Sequence, residues 1–445
     1  MSATRWLLVA SVLTTACSAD EPVATAEDGA TETATDAASE TVGEVAVDTG
    51  VPGDTAPLDT GPPPADIATW TDVAGACPTG SKRVELSSAA QIMDASRGEG
   101  AYAADPPDTC YLVKNGTYAE GSSLLFFVKK GGTATSARRF VGESRAGVVI
   151  HGRAGVGAGS DHVVFENMTF DLTGFVKSGS FNTFDIGADD VTLTRVTFTG
   201  DCATGFRGGH IEVTSGTKIR IDSCIVEKFG HCGPTGHEDH GIYLANGSDI
   251  VVRNSIVRGN ASRGILFNTQ QGTYGKLKGV LVEYNRIHDN GHADYEDGIA
   301  VNMEGTGNVD DVTIRRNLIY GNYFSGLRFV GAVTTGFDVQ RNTFYGNGQR
   351  SSHAGRSNLN LDAPKSGGKT LATKNVFAAS KAMLNDCYDA TPRGFSVSDN
   401  VVFSSTNTTG DASCVSKVVT ADPGFTSPTT FDFHTGAGVA GYGAY

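Results

Sequence analysis

The sequence predicts an all-β chain wound as a parallel β-helix solenoid, on three observations. A strand-and-turn segment recurs along the chain, a second strand recurs between its copies, and neither shows helical periodicity. The first segment reads VVFENMTF, VTLTRVTF, IRIDSCIV, VVRNSIV, VLVEYNRIH, VTIRRNLIY, FDVQRNTFY, LATKNVFA and FSVSDNVVF. Aligned without gaps, these stack Met168, Val196, Cys224, Ser255, Asn285, Asn317, Asn342, Asn375 and Asn400 in one column, at spacings between 25 and 33 residues. A period that wanders around a fixed core means loops of unequal length on a constant coil.

The second strand reads FDIG, HIEV, GIYLAN, GILFNT, GIAVNM, GLRFVG and NLNLD, with Ile186, Ile211, Ile242, Ile265, Ile299, Leu327 and Leu359 in register. Strand alternation sends these residues inward and their neighbours outward. The outward positions are then Asp185, Glu212, Tyr243, Leu266, Ala300, Arg328 and Asn360. Each coil of such a solenoid covers its neighbour's open edge. Successive asparagines at the inward corner can bond one another and the turn backbone, which gives that column a structural role.

Ahead of the repeats, Arg5 is followed by the apolar run Trp6–Leu13 and then Cys17, the shape of a secretory signal over residues 1–17. The run is too short to span a bilayer, which takes about 20 residues. It also resembles a bacterial lipoprotein signal, which implies a lipid on Cys17 and a membrane tether, although Thr14 stands where an aliphatic residue is usual. Residues 18–75 are rich in Ala, Thr, Asp, Glu, Gly and Pro and read as a disordered acidic tether. The folded domain is expected over 76–445. Residues 18–66 hold 12 of the 49 acidic residues and no Lys or Arg, so the net charge of −14 says little about the domain. No basic stripe suited to nucleic acid is present.

Residues from about 84 to 435 resemble the pectin lyase-like right-handed parallel β-helix superfamily. The segment VELSSAAQIMDAS is similar to its short N-terminal capping helix, and ADPGFTSPTTFDFHTGAG to its closing segment. The resemblance implies a right-handed coil and a polysaccharide partner, while the N-terminal signal implies a secreted or outer-membrane, cell-surface lipoprotein. It leaves the reaction open, because the superfamily holds lyases, hydrolases, epimerases and binding proteins. A capped solenoid needs no partner subunit, so a monomer is expected.

Cysteine use fits an oxidising compartment. Cys202 and Cys232 follow equivalent turns on adjacent coils and are expected to pair. Cys77 is then paired with Cys110, and Cys387 with Cys414, while Cys224 sits in the inward column beside Val196 and Ser255 and is expected as a buried free thiol. The spacing does not suggest zinc.

Five inserts, HCGPTGHEDH, ASR, GHADYED, YFS and GQRSSHAGR, precede the second strand and are expected to line one groove. Asp185 and Glu212 fall on adjacent coils, about 4.8 Å apart, and could share a proton or hold Ca²⁺. In the richest insert, His240 or His237 could act as base and Tyr243 as acid, the proton traffic that β-elimination at a uronate requires. Arg263 or Arg328 could hold the substrate carboxylate, with Asp239 and Asn360 as further binding groups. The insert with His292, Asp294, Glu296 and Asp297 reads as a substrate rim. Lyase chemistry on an acidic polysaccharide is the first reading and a non-catalytic glycan-binding or cell-envelope module the second. The third is a glycoside hydrolase using Asp185, Glu212 or Asp239.

Overall fold

The computed structural model describes residues 73–444 except 175–178, 181, 203–205, 233–238, 270–274, 294–295, 304–308, 334–335, 367–369, 386–394, 409–411 and 429–431. The signal, Cys17 and residues 18–72 of the tether lie outside the described residues, as do His237 and Cys387. Among the described residues, no helix is long and apolar enough to cross a membrane. The anchored segment begins by Val73, whose carbonyl accepts the Asn167 side chain, and Gly75, whose N–H donates to Glu143.

One 13-stranded sheet runs the length of the solenoid. A second sheet of 21 strands holds two parallel ladders joined at Val148–Val156, which pairs with both Thr169–Asp171 and Phe184–Ile186. A representative coil is Leu277–Glu283, a corner at Tyr284–Asn285, Arg286–His288, a second corner at Asp289–Asn290 followed by an insert, and Ile299–Met303. Each strand lies parallel to its counterpart on the next coil, as Val280 on Val312 and Ile287 on Ile319.

Both corners are built alike. At the first, a residue with positive φ precedes every member of the aligned column: Asn167, Arg195, Ser223, Asn254, Tyr284, Arg316, Arg341, Lys374 and Asp399. Left-handed backbone is unfavourable for these residue types other than Asn and Asp, which tolerate it. The buried asparagines that follow offset the cost. Asn285, Asn317, Asn342, Asn375 and Asn400 pass amide bonds of 2.9–3.0 Å from coil to coil and also accept from the backbone N–H of the preceding member. The second corner repeats the device with Asn260, Asn290, Asn322 and Asn347, a ladder the first alignment did not include, and Asn347 passes its amide bond on to Asn358 in the strand Ser357–Ser366.

Inside, the early coils are filled by aromatics, with Tyr111 stacked on Phe140, Phe140 on Phe165 and Phe170 on Phe198 at 5.0–5.3 Å. Later coils stack Ile221, Val252, Val282, Ile314 and Val339 instead. The helix Ala89–Arg97 closes the N-terminal end: Ser88 caps it by accepting from Gln91 N–H, and Ile92 and Ala95 are buried. The bonds Cys77–Cys110 and Cys202–Cys232 are present, and Cys414 is disulfide-bonded. Cys224 is a buried thiol, pushed up to about 12 by burial.

Candidate functional site

The outward row of the second strand is in the expected register, Asp185 on Glu212, Glu212 on Tyr243, and onward through Leu266, Ala300, Arg328 and Asn360. Its surroundings differ from the expected open groove. Tyr243, Leu266, Ala300, Arg328 and Asn360 are all buried. The inserts fold down over this row: the Asn360 amide donates to Gly355 at 2.8 Å, and Arg328 lies over the Phe324 ring at 5.7 Å.

Two positions before the inward isoleucines, the same ladder aligns His240, Arg263, Asp297, Ser325 and Ser357 on successive coils. A glycine column makes this approach possible. A Cβ on Gly241, Gly264, Gly298 or Gly326 would lie 2.6–2.8 Å from a carbonyl oxygen of the next coil, and equally close to the amide of the adjoining asparagine ladder. The glycines thus seat the cluster directly against that ladder.

Asp297 is fully buried between two guanidiniums, Arg328 at 3.6 Å and Arg263 at 4.0 Å. Both carboxylate oxygens lack a hydrogen bond among the described residues. Burial pushes Asp297 up to about 7 despite the two arginines. Glu296 also rises to about 7 through burial. His240 is 4% exposed, and burial first and the Arg263 charge second hold it well below the ordinary imidazole range. Its ring meets Tyr243 edge-on at 5.8 Å. His210, one coil earlier, is unrelated to this cluster: its two nitrogens are bound to Thr183 and the Glu227 carbonyl, and burial lowers it to about 3.

Two carboxylates fasten the inserts. Asp239 accepts the His231 N–H at 3.0 Å, and Glu296 accepts those of His292 and Ala293 at 2.5 and 2.7 Å. Asp239 therefore holds its own loop, a role its charge alone did not suggest. The signal was in the sequence: GHCGPTGHEDHGI and GHADYEDGI share a Gly-His start and an acidic end before Gly-Ile.

The acidic pair is not isolated. Asp185 receives Arg153 at 3.1 Å and Asn182 at 2.7 Å, and burial with the neighbouring Asp185 charge raises Glu212 to about 7. A guanidinium thus already supplies the counter-charge that a Ca²⁺ ion would bring, so the donor set fits Arg153 rather than a metal. Sequence reasoning missed Arg153 because it lies on the coil before, out of the aligned row. A cleft of about 450 Å³ lined by Asp189, Thr217, Ser248, Lys276, Lys278 and Asp310 lies among other residues and includes none of the expected groups.

Residues 139–344 match the family model of the right handed beta helix region. The chain matches no curated protein by sequence. Among solved structures it is similar to the mannuronan C-5 epimerase AlgE6 A-module of Azotobacter vinelandii, at 16% identity over 80% of this chain and 99% of that one, with a TM-score of 0.49. Pectate lyase Pel9A shares 15% identity over 80% and 86% of the two chains, with a TM-score of 0.45. A mannuronic acid specific polysaccharide family 6 lyase from human gut microbiota shares 12% over 80% and 96%, with a TM-score of 0.35. Coil period, parallel register and the match over residues 139–344 make the folded part of this chain a right-handed parallel β-helix.

Proposed function

We propose that the protein is a lyase-type enzyme acting on an acidic, uronate-containing polysaccharide laid along the insert-bearing edge. The observation that carries this reading is the alignment of His240, Arg263 and Asp297 on three successive coils, with Tyr243 against the His240 ring. A histidine kept neutral by burial retains its lone pair at physiological pH and serves as the base for the proton beside the uronate carboxylate. Arg263 holds that carboxylate and stabilises the charge that develops on it. Tyr243 gives its proton to the departing glycosidic oxygen as the carbon–oxygen bond breaks, leaving an unsaturated sugar. His237 is the alternative base. Arg328 and Asn360, on later coils, bind neighbouring sugar units about 4.8 Å apart per coil. No step is routed through Ca²⁺, because Arg153 occupies the acidic pair.

Asp297 and Glu296 ionise near 7, so the cluster around the two arginines is most positive below that pH. Affinity for the polyanion is expected to weaken as pH rises through 7. Disulfides fit a secreted or surface location, with Cys17 as the site of a lipid tether.

The test is ultraviolet absorbance of unsaturated uronate when the protein meets alginate, pectate, hyaluronan or chondroitin, with chelator and with added Ca²⁺. Activity is expected in one of the four, unchanged by chelator and reduced ~100-fold or more in His240→Ala. Burial of His240 and Tyr243 favours a second reading, a glycan-binding module whose polar edge is covered in the free protein. Retarded migration in affinity electrophoresis with no new absorbance would select it, while new reducing ends without absorbance would select the hydrolase.

A further inference from the structure

The cysteine spacing gave no sign of a metal site, yet the solenoid brings His292, two coils after Cys232 and three after Cys202, to the Cys202–Cys232 pair. Both sulfurs and a ring nitrogen of His292 lie within 4.8 Å of one another. A second observation is independent of that distance: His292 Nε2 is buried and has no hydrogen-bond partner among the described residues. Its backbone is fixed, since the His292 N–H is held by Glu296. The two sulfurs are fixed as well, with Cys202 and Cys232 both directed at the Gly259 carbonyl and the Cys232 N–H bonded to Cys202.

We propose that Cys202, Cys232 and His292 form a redox-gated zinc site, closed as a disulfide when oxidised and binding one Zn²⁺ when reduced. Opening it takes two electrons and two protons: two thiols of a reductant become a disulfide while the Cys202–Cys232 bond becomes two thiols. Zinc then displaces both thiol protons to solvent and takes two thiolates, the His292 nitrogen and a water, the set in which a fourth position stays open. The ion would tie the insert that begins at His231 to the one that begins at His292, and these carry His240 and Asp297.

The experiment titrates the reduced, full-length protein with Zn²⁺ against a chromophoric chelator and repeats it with Co²⁺, whose thiolate charge-transfer band reports sulfur ligation. One ion per chain is expected, with the band, and no binding by the oxidised protein. His292→Ala is expected to weaken binding by at least ~10-fold, the loss that even an outer-shell partner causes. Because reduction also opens the other disulfides, Cys232→His provides a route without reductant: it cannot form the bond and keeps three ligand atoms, so it is expected to bind Co²⁺ with the band. In Cys232→Ser only two ligands remain, and binding is expected to be lost. Absence of Zn²⁺ binding by reduced wild type and by Cys232→His alike, or equal binding by His292→Ala, overturns the proposal.

Discussion

Two buried polar arrays lie side by side on the same coils, separated by one column of glycines. In the asparagine ladder Asn260–Asn347, each amide donates to the next member or, at Asn347, to Asn358, and each oxygen from Asn290 onward also accepts the backbone N–H of the member before it. In the neighbouring cluster His240, Asp297 and Arg328 are buried and Arg263 is half-buried, and Asp297 meets the two arginines at 3.6 and 4.0 Å, too far for good hydrogen bonds. Burial without full pairing is costly for a charge, whereas an amide whose hydrogen bonds are all made within the ladder is buried at little cost. The ladder therefore reads as architecture. The cluster, in which both Asp297 oxygens lie beyond hydrogen-bond distance of the two arginines, reads as a place where stability has been given up, as is common at functional sites.

The largest effect that separates the two arrays is expected at Asn317. Its side chain accepts from Asn285 twice and donates to Val282, Arg315 and Asn342. Asn317→Ala leaves several of these groups buried and unpaired, for a loss on the order of 3–5 kcal/mol in urea unfolding. A loss below about 1 kcal/mol would mean that water replaces the ladder and that the contrast drawn between the arrays is wrong.

A smaller effect is expected at the divide itself. Gly298→Ala places a methyl 2.8 Å from the Gly326 oxygen and 2.7 Å from the Asn322 amide, neither of which can give easily. Roughly 1–3 kcal/mol is expected from such overpacking, together with a loss of polysaccharide affinity, because the cluster and the ladder move apart. Unchanged affinity in a destabilised variant would uncouple them.

The smallest effect sharpens the comparison through pH. Asp297 sits near 7 in the folded chain against an ordinary value of 3.8, so its raised value favours the protonated form. The stability it contributes is complete below about 4 and is lost as pH rises to 7, at no more than about 1.4 kcal/mol per pH unit. Asp297→Asn does not titrate there. Wild type should thus lose stability relative to the variant between pH 4 and 7, with the difference flat on either side. His240 acts in the opposite direction: its lowered value contributes stability present above about 6.5 and lost on acidification. A constant difference between wild type and Asp297→Asn would show that Asp297 stays ionised throughout.

The register of the solenoid was legible in the sequence, down to the outward row from Asp185 to Asn360, because strand alternation is local and every coil repeats it. The column from Met168 to Asn400 was legible for the same reason. The second ladder was present as Asn260, Asn290, Asn322 and Asn347 just before each insert, and it was hidden by inserts of unequal length. Asp297 looked like a rim residue because its burial depends on loops folding back, which no periodicity records.

By itself, then, the sequence determined the coil, its period and which side chains share a row, since these follow from period-2 alternation and a recurring left-handed corner. Only the tertiary structure decided that the inserts cover the expected groove, that Arg153 answers the acidic pair, and that His292 meets Cys202 and Cys232. Each of those is a contact between coils or between loops of different length. Its energy comes from burial and charge across space, and neither is written in the spacing of residues along the chain.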